Sequence, residues 1–253
     1  MRIGRGRILA GLVVLAAALT LTPAGGHAAK APDGPPSARE AAAALPAVDE
    51  ILARYVAAVG GREAIERLET RVIAGRMITD LPSREPPVLE EDSLEMAGTA
   101  AGLYRLRGGA EHYLYGEGWD GRVGWRLSQR GLRRDDGVRY GADAWLANPR
   151  GPLQLAEYFP DLRVTARERR GTDVFIVVET SRARRRLLFD EATGLLVALS
   201  YHHELADYRA VDGVLVPFRV VHGRKGGSST FHVDAVTHDA PVDSTLFAMP
   251  REE

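Results

Sequence analysis

Two groups of histidine and carboxylate side chains occur close together in the last quarter of the sequence. They comprise His202, His203, Glu204 and Asp207, followed by His232, Asp234 and His238. Imidazole nitrogens and carboxylate oxygens are common zinc ligands. In a strand, however, His202 and His203 point to opposite faces, and no His-Glu-x-x-His spacing is present. The pattern predicts no metal site; a metal-dependent enzyme, the alternative, requires His232, Asp234 and a further histidine to converge.

Nucleophilic catalysis also lacks a sequence signal. There is no cysteine, which excludes a thiolate nucleophile and thiolate metal ligands. The serines lack the Gly-x-Ser-x-Gly context of a hydrolase nucleophile. The carboxylates of Asp190, Glu191 and Asp212 lie in turn segments, where hydrogen bonds to the backbone explain them. We therefore expect a protein that is not an enzyme and carries no cofactor.

An arginine-rich segment offers a different chemistry. Arg182, Arg184 and Arg186 alternate along one predicted strand and so share a face. Guanidinium groups pair bidentately with phosphate or carboxylate, so these three are candidates for contact with lipid head groups or an acidic partner. The alternative is a solvated face without a binding role.

Composition limits the class of protein. The chain has 253 residues, of which 45% are hydrophobic and 26% charged, with a formal net charge of −1. It can therefore bury a substantial core, and it lacks the basic excess expected of a nucleic-acid binder. We expect one domain from residue 47 to residue 250.

The N-terminal segment is typical of an export signal. Arg2, Arg5 and Arg7 precede the apolar run Ile8–Leu21, which is short for a membrane span. Small residues then predict cleavage near Ala28, so residues 1–28 are assigned as signal peptide and residues 29–46 as a linker rich in proline and alanine. Export to the periplasm or cell envelope follows. The alternative is an uncleaved membrane anchor.

The elements that would position these side chains are mostly strands. A helix is predicted over Ala47–Val59 from its apolar stripe, and a shorter one over Arg62–Leu68. From Thr70 onward the apolar period is two. Asp212-Gly213 predicts a hairpin turn, as does Gly108-Gly109. The fold class is therefore α+β, mainly β, with a large antiparallel sheet.

One apolar segment interrupts the strands. Residues 142–159 suggest one or two short helices, with Trp145 among their apolar side chains. An apolar helical insertion within a sheet protein is a candidate lid or plug for the concave side. The alternative is a crossover that covers a sheet edge.

The chain resembles the exported LolA-like family, which includes carriers that sort lipoproteins to the outer membrane. Three segments carry the resemblance: Ile51–Gly61 with the following helix, Phe189–Val197, and Asp207–Phe218 followed by Val242–Pro250. The resemblance implies an incomplete, strongly curved antiparallel barrel with helices against its concave side. It also implies a cavity that holds acyl chains, in the poorly characterised branch of the family.

The apolar faces of the strands supply the candidate ligand-binding residues. They are Val123, Trp125, Leu127, Trp145, Val174, Ile176, Val178, Leu195, Val197, Leu199, Val216 and Phe218. We expect a lipid, an acylated protein or another apolar ligand as partner, with a membrane-associated protein as a further one. The alternatives are plain core packing and an envelope sensor or interaction module with a closed core, which binds through its arginines.

Overall fold

The computed structural model describes residues 45–110, 113–181, 185–199, 203–224 and 226–251. The predicted signal peptide, nearly all of the linker, and Arg182 and Arg184 lie outside these ranges. Within them, every helix is too short or too polar to cross a bilayer.

The first described elements are two helices, as predicted, though each is slightly shorter. Helix α1 spans Val48–Ala58 and α2 spans Arg62–Glu66. Two acidic residues lie in the first turn of α1, where they complement the helix dipole. Gly60 and Gly61, with φ of 125° and 85°, end it because the left-handed region suits glycine.

Thirteen strands form one antiparallel sheet. They are β1 Thr70–Leu81, β2 Val88–Thr99, β3 Tyr104–Ala110, β4 Tyr113–Trp119, β5 Gly124–Ser128, β6 Gly131–Arg134, β7 Arg163–Arg170, β8 Asp173–Glu179, β9 Arg186–Asp190, β10 Leu196–Leu199, β11 His203–Val211, β12 Val214–Arg224 and β13 Gly227–His238. The sheet is not closed, which confirms the predicted mainly-β, incomplete barrel.

The strand order explains where the insertion must lie. Strands β1 to β6 run outward in sequence order to one edge, and β7 to β13 return from the other edge, so that β13 pairs with β1. The chain between β6 and β7 therefore connects the two edges of the sheet. It contains a 3₁₀ turn at Asp136–Tyr140 and two short helices, α3 at Ala142–Ala147 and α4 at Leu155–Tyr158.

The hairpin predictions had different outcomes. Asp212 and Gly213 both have positive φ, 51° and 83°, and join β11 to β12 as expected. The predicted turn at Gly108-Gly109 was wrong, because both residues lie inside β3 and pair with β4. The absence of a side chain at Gly108 makes room for Tyr115, because a Cβ there would fall 2.4 Å from the Tyr115 ring.

We call the face of the sheet that carries the helices the inner face. The core forms there, where Tyr55 of α1 meets Phe189 edge-to-face at 5.7 Å and α3 packs over β1 to β3. Gly98 of β2 permits the close approach of α3, because a Cβ there would lie 2.6 Å from the Ala147 carbonyl oxygen.

Candidate functional site

The inner face is not filled along its whole length. A cavity of about 990 Å³ lies between β1–β5 and the end of β12. Helix α1 contacts the opposite end of β12, where the Leu215 amide donates to the Val59 carbonyl. The helices thus close one end of the inner face and leave a hollow toward the other.

Alternation along β2 shows how the cavity wall is built. Val88, Glu90, Asp92 and Leu94, every second residue of the strand, all line the cavity, and Glu91 lines it as well. Leu89, on the opposite face, is 76% exposed. The apolar part of the wall comprises Met77, Leu81, Val88, Leu94, Leu106, Tyr115 and Leu127.

A charged pair lies in the wall of this cavity. Glu117 lies opposite Arg126 in the β4–β5 ladder, and Arg126 Nη2 is 2.9 Å from Glu117 Oε2. The Tyr104 hydroxyl donates to Glu117 Oε1 at 3.1 Å. Burial, followed by the nearby charge of Asp143, raises the pKa of Glu117 to about 7. This carboxyl therefore titrates near neutral pH.

A second, smaller cavity of about 390 Å³ adjoins the first. Glu117, Arg126 and Asp143 line both, so these side chains form the partition between them. His203 lines the small cavity and His222 the large one. The two rings meet edge-on at 4.5 Å, and burial, then the neighbouring ring, lowers the pKa of His203.

The predicted apolar ligand residues lie in several environments. Leu127 lines the large cavity. The core contains Trp145, Ile176, Val178, Leu199, Val216 and Phe218, with Leu195 packed against it. Val123, Val174 and Val197 are half-buried. That these residues contact a ligand stays a prediction.

Trp125 belongs to the outer face. It lies opposite Gly118 in the ladder, and a Cβ on Gly118 would fall 2.7 Å from the indole ring. Its indole N–H donates to the Phe247 carbonyl at 3.0 Å. The side chain thus fixes the C-terminal segment against the back of the sheet.

Several of the remaining sequence candidates are engaged by neighbours within the chain, and His202 lies outside the described residues. Arg186 pairs with Glu168 and Glu179, so its role toward an external anion stays a prediction. Arg76 pairs with Asp234, and His238 with Asp212. Across the described ranges, no three histidine or carboxylate side chains are grouped as a metal would require.

Sequence reasoning did not select Glu117 or Asp143. The signal available for Glu117 was Gly116-Glu117-Gly118, a charged residue between glycines in a strand. Glycine in a strand often marks a close approach of other groups. Here Gly118 makes room for Trp125 on the outer face, while Glu117 faces inward.

No protein-family model and no curated protein matches the chain. Solved structures do. A LolA superfamily protein from Nitrosomonas europaea superposes with a TM-score of 0.54 at 10% identity, over 81% of this chain and 98% of the other. A DUF1329 family protein from Desulfovibrio piger gives 0.53 at 11%, over 79% and 97%.

A third structure is described as an outer membrane lipoprotein-sorting protein domain from Vibrio parahaemolyticus. It superposes with a TM-score of 0.51 at 10% identity, over 78% of this chain and 94% of the other. All three comparisons span nearly the whole of the other chain and about four fifths of this one. The chain therefore has a LolA-like fold, as the sequence resemblance predicted.

Proposed function

We propose that this protein is a non-enzymatic binding protein of the cell envelope. It holds the apolar part of an amphiphilic ligand, such as the acyl chain of a lipid or lipoprotein, in the inner-face cavity. The observation that carries the proposal is the cavity itself. Its volume of about 990 Å³ is at the upper end of the range of small-molecule sites, and its wall combines apolar side chains with several charged ones.

The wall suits a chain with a polar end. Leu94 and Leu106 are buried in its apolar part, whereas Glu90, Asp92, Glu117 and Arg126 give it charge. Each methylene moved from water to such a wall contributes about 0.8 kcal/mol. A chain of about ten methylenes would therefore bind with useful affinity even after the cost of ordering it.

Export and the fold agree with this role. The N-terminal sequence predicts a signal peptide, and one structural neighbour bears the description of a lipoprotein-sorting domain. Arg71 hydrogen bonds hold α3 to the sheet, and the cavity reaches the strand ends at Leu81 and Val88. A ligand can therefore enter from that end while α3 stays in place.

The test uses a matched pair of substitutions on β2. Val88→Trp places an indole in the cavity, whereas Leu89→Trp places the same group on the exposed outer face. Binding of a fluorescent fatty-acyl probe should fall at least tenfold in Val88→Trp and stay unchanged in Leu89→Trp. Native mass spectrometry of the full chain purified from membranes should show a bound lipid. Absence of both bound lipid and probe binding would overturn the proposal.

A further inference from the structure

The large cavity contains carboxylates that nothing in the described protein neutralises. Glu90, Asp92 and Asp143 line it, and none of the three has a hydrogen-bond or ion-pair partner among the described residues. Glu91 also lines the cavity, but its carboxylate pairs with Arg76 at 3.3 Å. These three side chains therefore present their negative charge to whatever enters.

The cationic side chains of the wall do not balance this charge. Arg126 is committed to Glu117 at 2.9 Å and to Asp135 at 3.4 Å. Arg84 is the remaining arginine in the lining, and it lies in the exposed loop between β1 and β2. With Glu117 ionised, the wall of the cavity as a whole carries more negative than positive groups.

The carboxylates also repel one another. Glu90 and Asp92 are two residues apart on β2, so they point to the same side. Burial, then the charge of Glu90, raises the pKa of Asp92. A cation bound between them would relieve this repulsion and would be attracted by both.

We infer that the ligand is a cationic amphiphile, whose ammonium or guanidinium group lies by Glu90 and Asp92 and whose chain lies along Met77, Leu94 and Leu106. This inference rests on the proposed function. The same charges disfavour fatty-acid carboxylates and lipids with anionic head groups. The selectivity comes from the wall of the cavity and not from the arginines chosen from the sequence.

The test compares three ligands that share a dodecyl chain and differ in head group: dodecyltrimethylammonium, dodecyl maltoside and laurate. Each is titrated below its micelle concentration into the full chain and followed by calorimetry. The cationic ligand should bind about tenfold more tightly than laurate, with the neutral one between, because a unit charge interacts with several carboxylates at short range. Added salt should reduce the difference.

Substitutions on β2 locate the effect. The double variant Glu90→Gln/Asp92→Asn should weaken the cationic ligand threefold or more and leave the maltoside unchanged. Glu95→Gln on the outer face of the same strand is the control. Equal binding of all three ligands, or tighter binding of laurate, would overturn this inference and leave the proposed function standing. Binding of none of them would overturn both.

Discussion

Arg71 Nε lies 3.0 Å from His238 Nε2, joining the paired strands β1 and β13 through their side chains. Both residues are buried, with exposures of 3% and 9%. Because an arginine N–H can only donate, His238 Nε2 must accept. The proton of the neutral ring is therefore on Nδ1, which lies 3.1 Å from Asp212 Oδ2.

The Arg71 guanidinium also holds the insertion between β6 and β7. Arg71 Nη1 donates to the Leu146 carbonyl at 2.9 Å, and carbonyls of the next turn lie close by. The Leu146 carbonyl is one of the last of α3, which have no partner within the helix. One arginine thus connects β1, β13 and the helix that crosses the inner face.

Arg71→Lys should destabilise the protein by about 2 kcal/mol or more. Lysine keeps the charge but cannot donate in two directions from one plane, so either His238 or the α3 carbonyls lose their partner. Urea unfolding measures the change, with the exposed Arg67→Lys on the preceding segment as control. A loss of stability equal to that of the control would show that the Arg71 hydrogen bonds contribute nothing.

His238 should make the protein less stable at acidic pH. Burial, then Arg71, lowers the pKa of His238 in the folded state, so the unfolded chain binds the proton more readily. The stabilisation contributed by the neutral ring of His238 is present above the ordinary pKa of histidine and is lost as pH falls below it.

The hydrogen bonds of His238 also predict its tautomer. Nitrogen-15 NMR should show a protonated Nδ1 at pH 7. A protonated Nε2 would contradict the hydrogen-bond assignment.

Glu117 should make the free energy of unfolding change with pH in the opposite direction, over an overlapping pH range. Its pKa rises from 4.5 to about 7 on folding, so the folded state binds the proton more readily and stability falls as pH increases between those values. Glu117→Gln removes this dependence, which amounts to about 3 kcal/mol for a pKa shift of this size. Because His238 opposes it, the measured quantity is the difference in unfolding free energy between variant and wild type across pH 4.5 to 8. A constant difference would refute the assignment.

The sheet could be predicted because its determinants are local. Asp212-Gly213 adopts the positive φ values that its residue types favour, and the alternation around it sets the register of β11 and β12. Gly108-Gly109 carries the same local signal, but packing overrides it. The Tyr115 ring occupies the space that a side chain on Gly108 would need, so the glycines continue the strand.

The candidate site could be predicted less well because it depends on which face of the sheet the helices cover. Alternation predicts that Trp125 and Leu127 share a face, but Leu127 lines the large cavity whereas Trp125 lies on the outer face. Alternation also does not show which face the helices cover. That choice depends on contacts far apart in sequence, such as the Trp125 indole with the Phe247 carbonyl. The charged residues of the cavity, Glu117 and Asp143, come from different elements and meet only after the insertion has folded back.

Gly98→Ala should displace α3 and destabilise the protein by about 1–3 kcal/mol, the usual cost of overpacking. The added Cβ would meet the backbone oxygen of Ala147 at 2.6 Å, and backbone cannot rotate away. Gly137→Ala is the matched control, since its Cβ would meet only the Asp135 carboxylate at 3.2 Å. Thermal unfolding compares the two. Equal melting temperatures would show that α3 is not held closely to β2.

Trp125→Phe should loosen the C-terminal segment and not the cavity. The substitution removes the indole donor to the Phe247 carbonyl, which contributes about 1 kcal/mol, and leaves the Phe247 oxygen without that partner. Hydrogen exchange should therefore increase at residues 244–247, while the acyl probe binds as in the wild type. Both results follow from the position of Trp125 on the outer face, opposite Gly118. If probe binding fell tenfold while exchange stayed unchanged, the indole would belong to the ligand site.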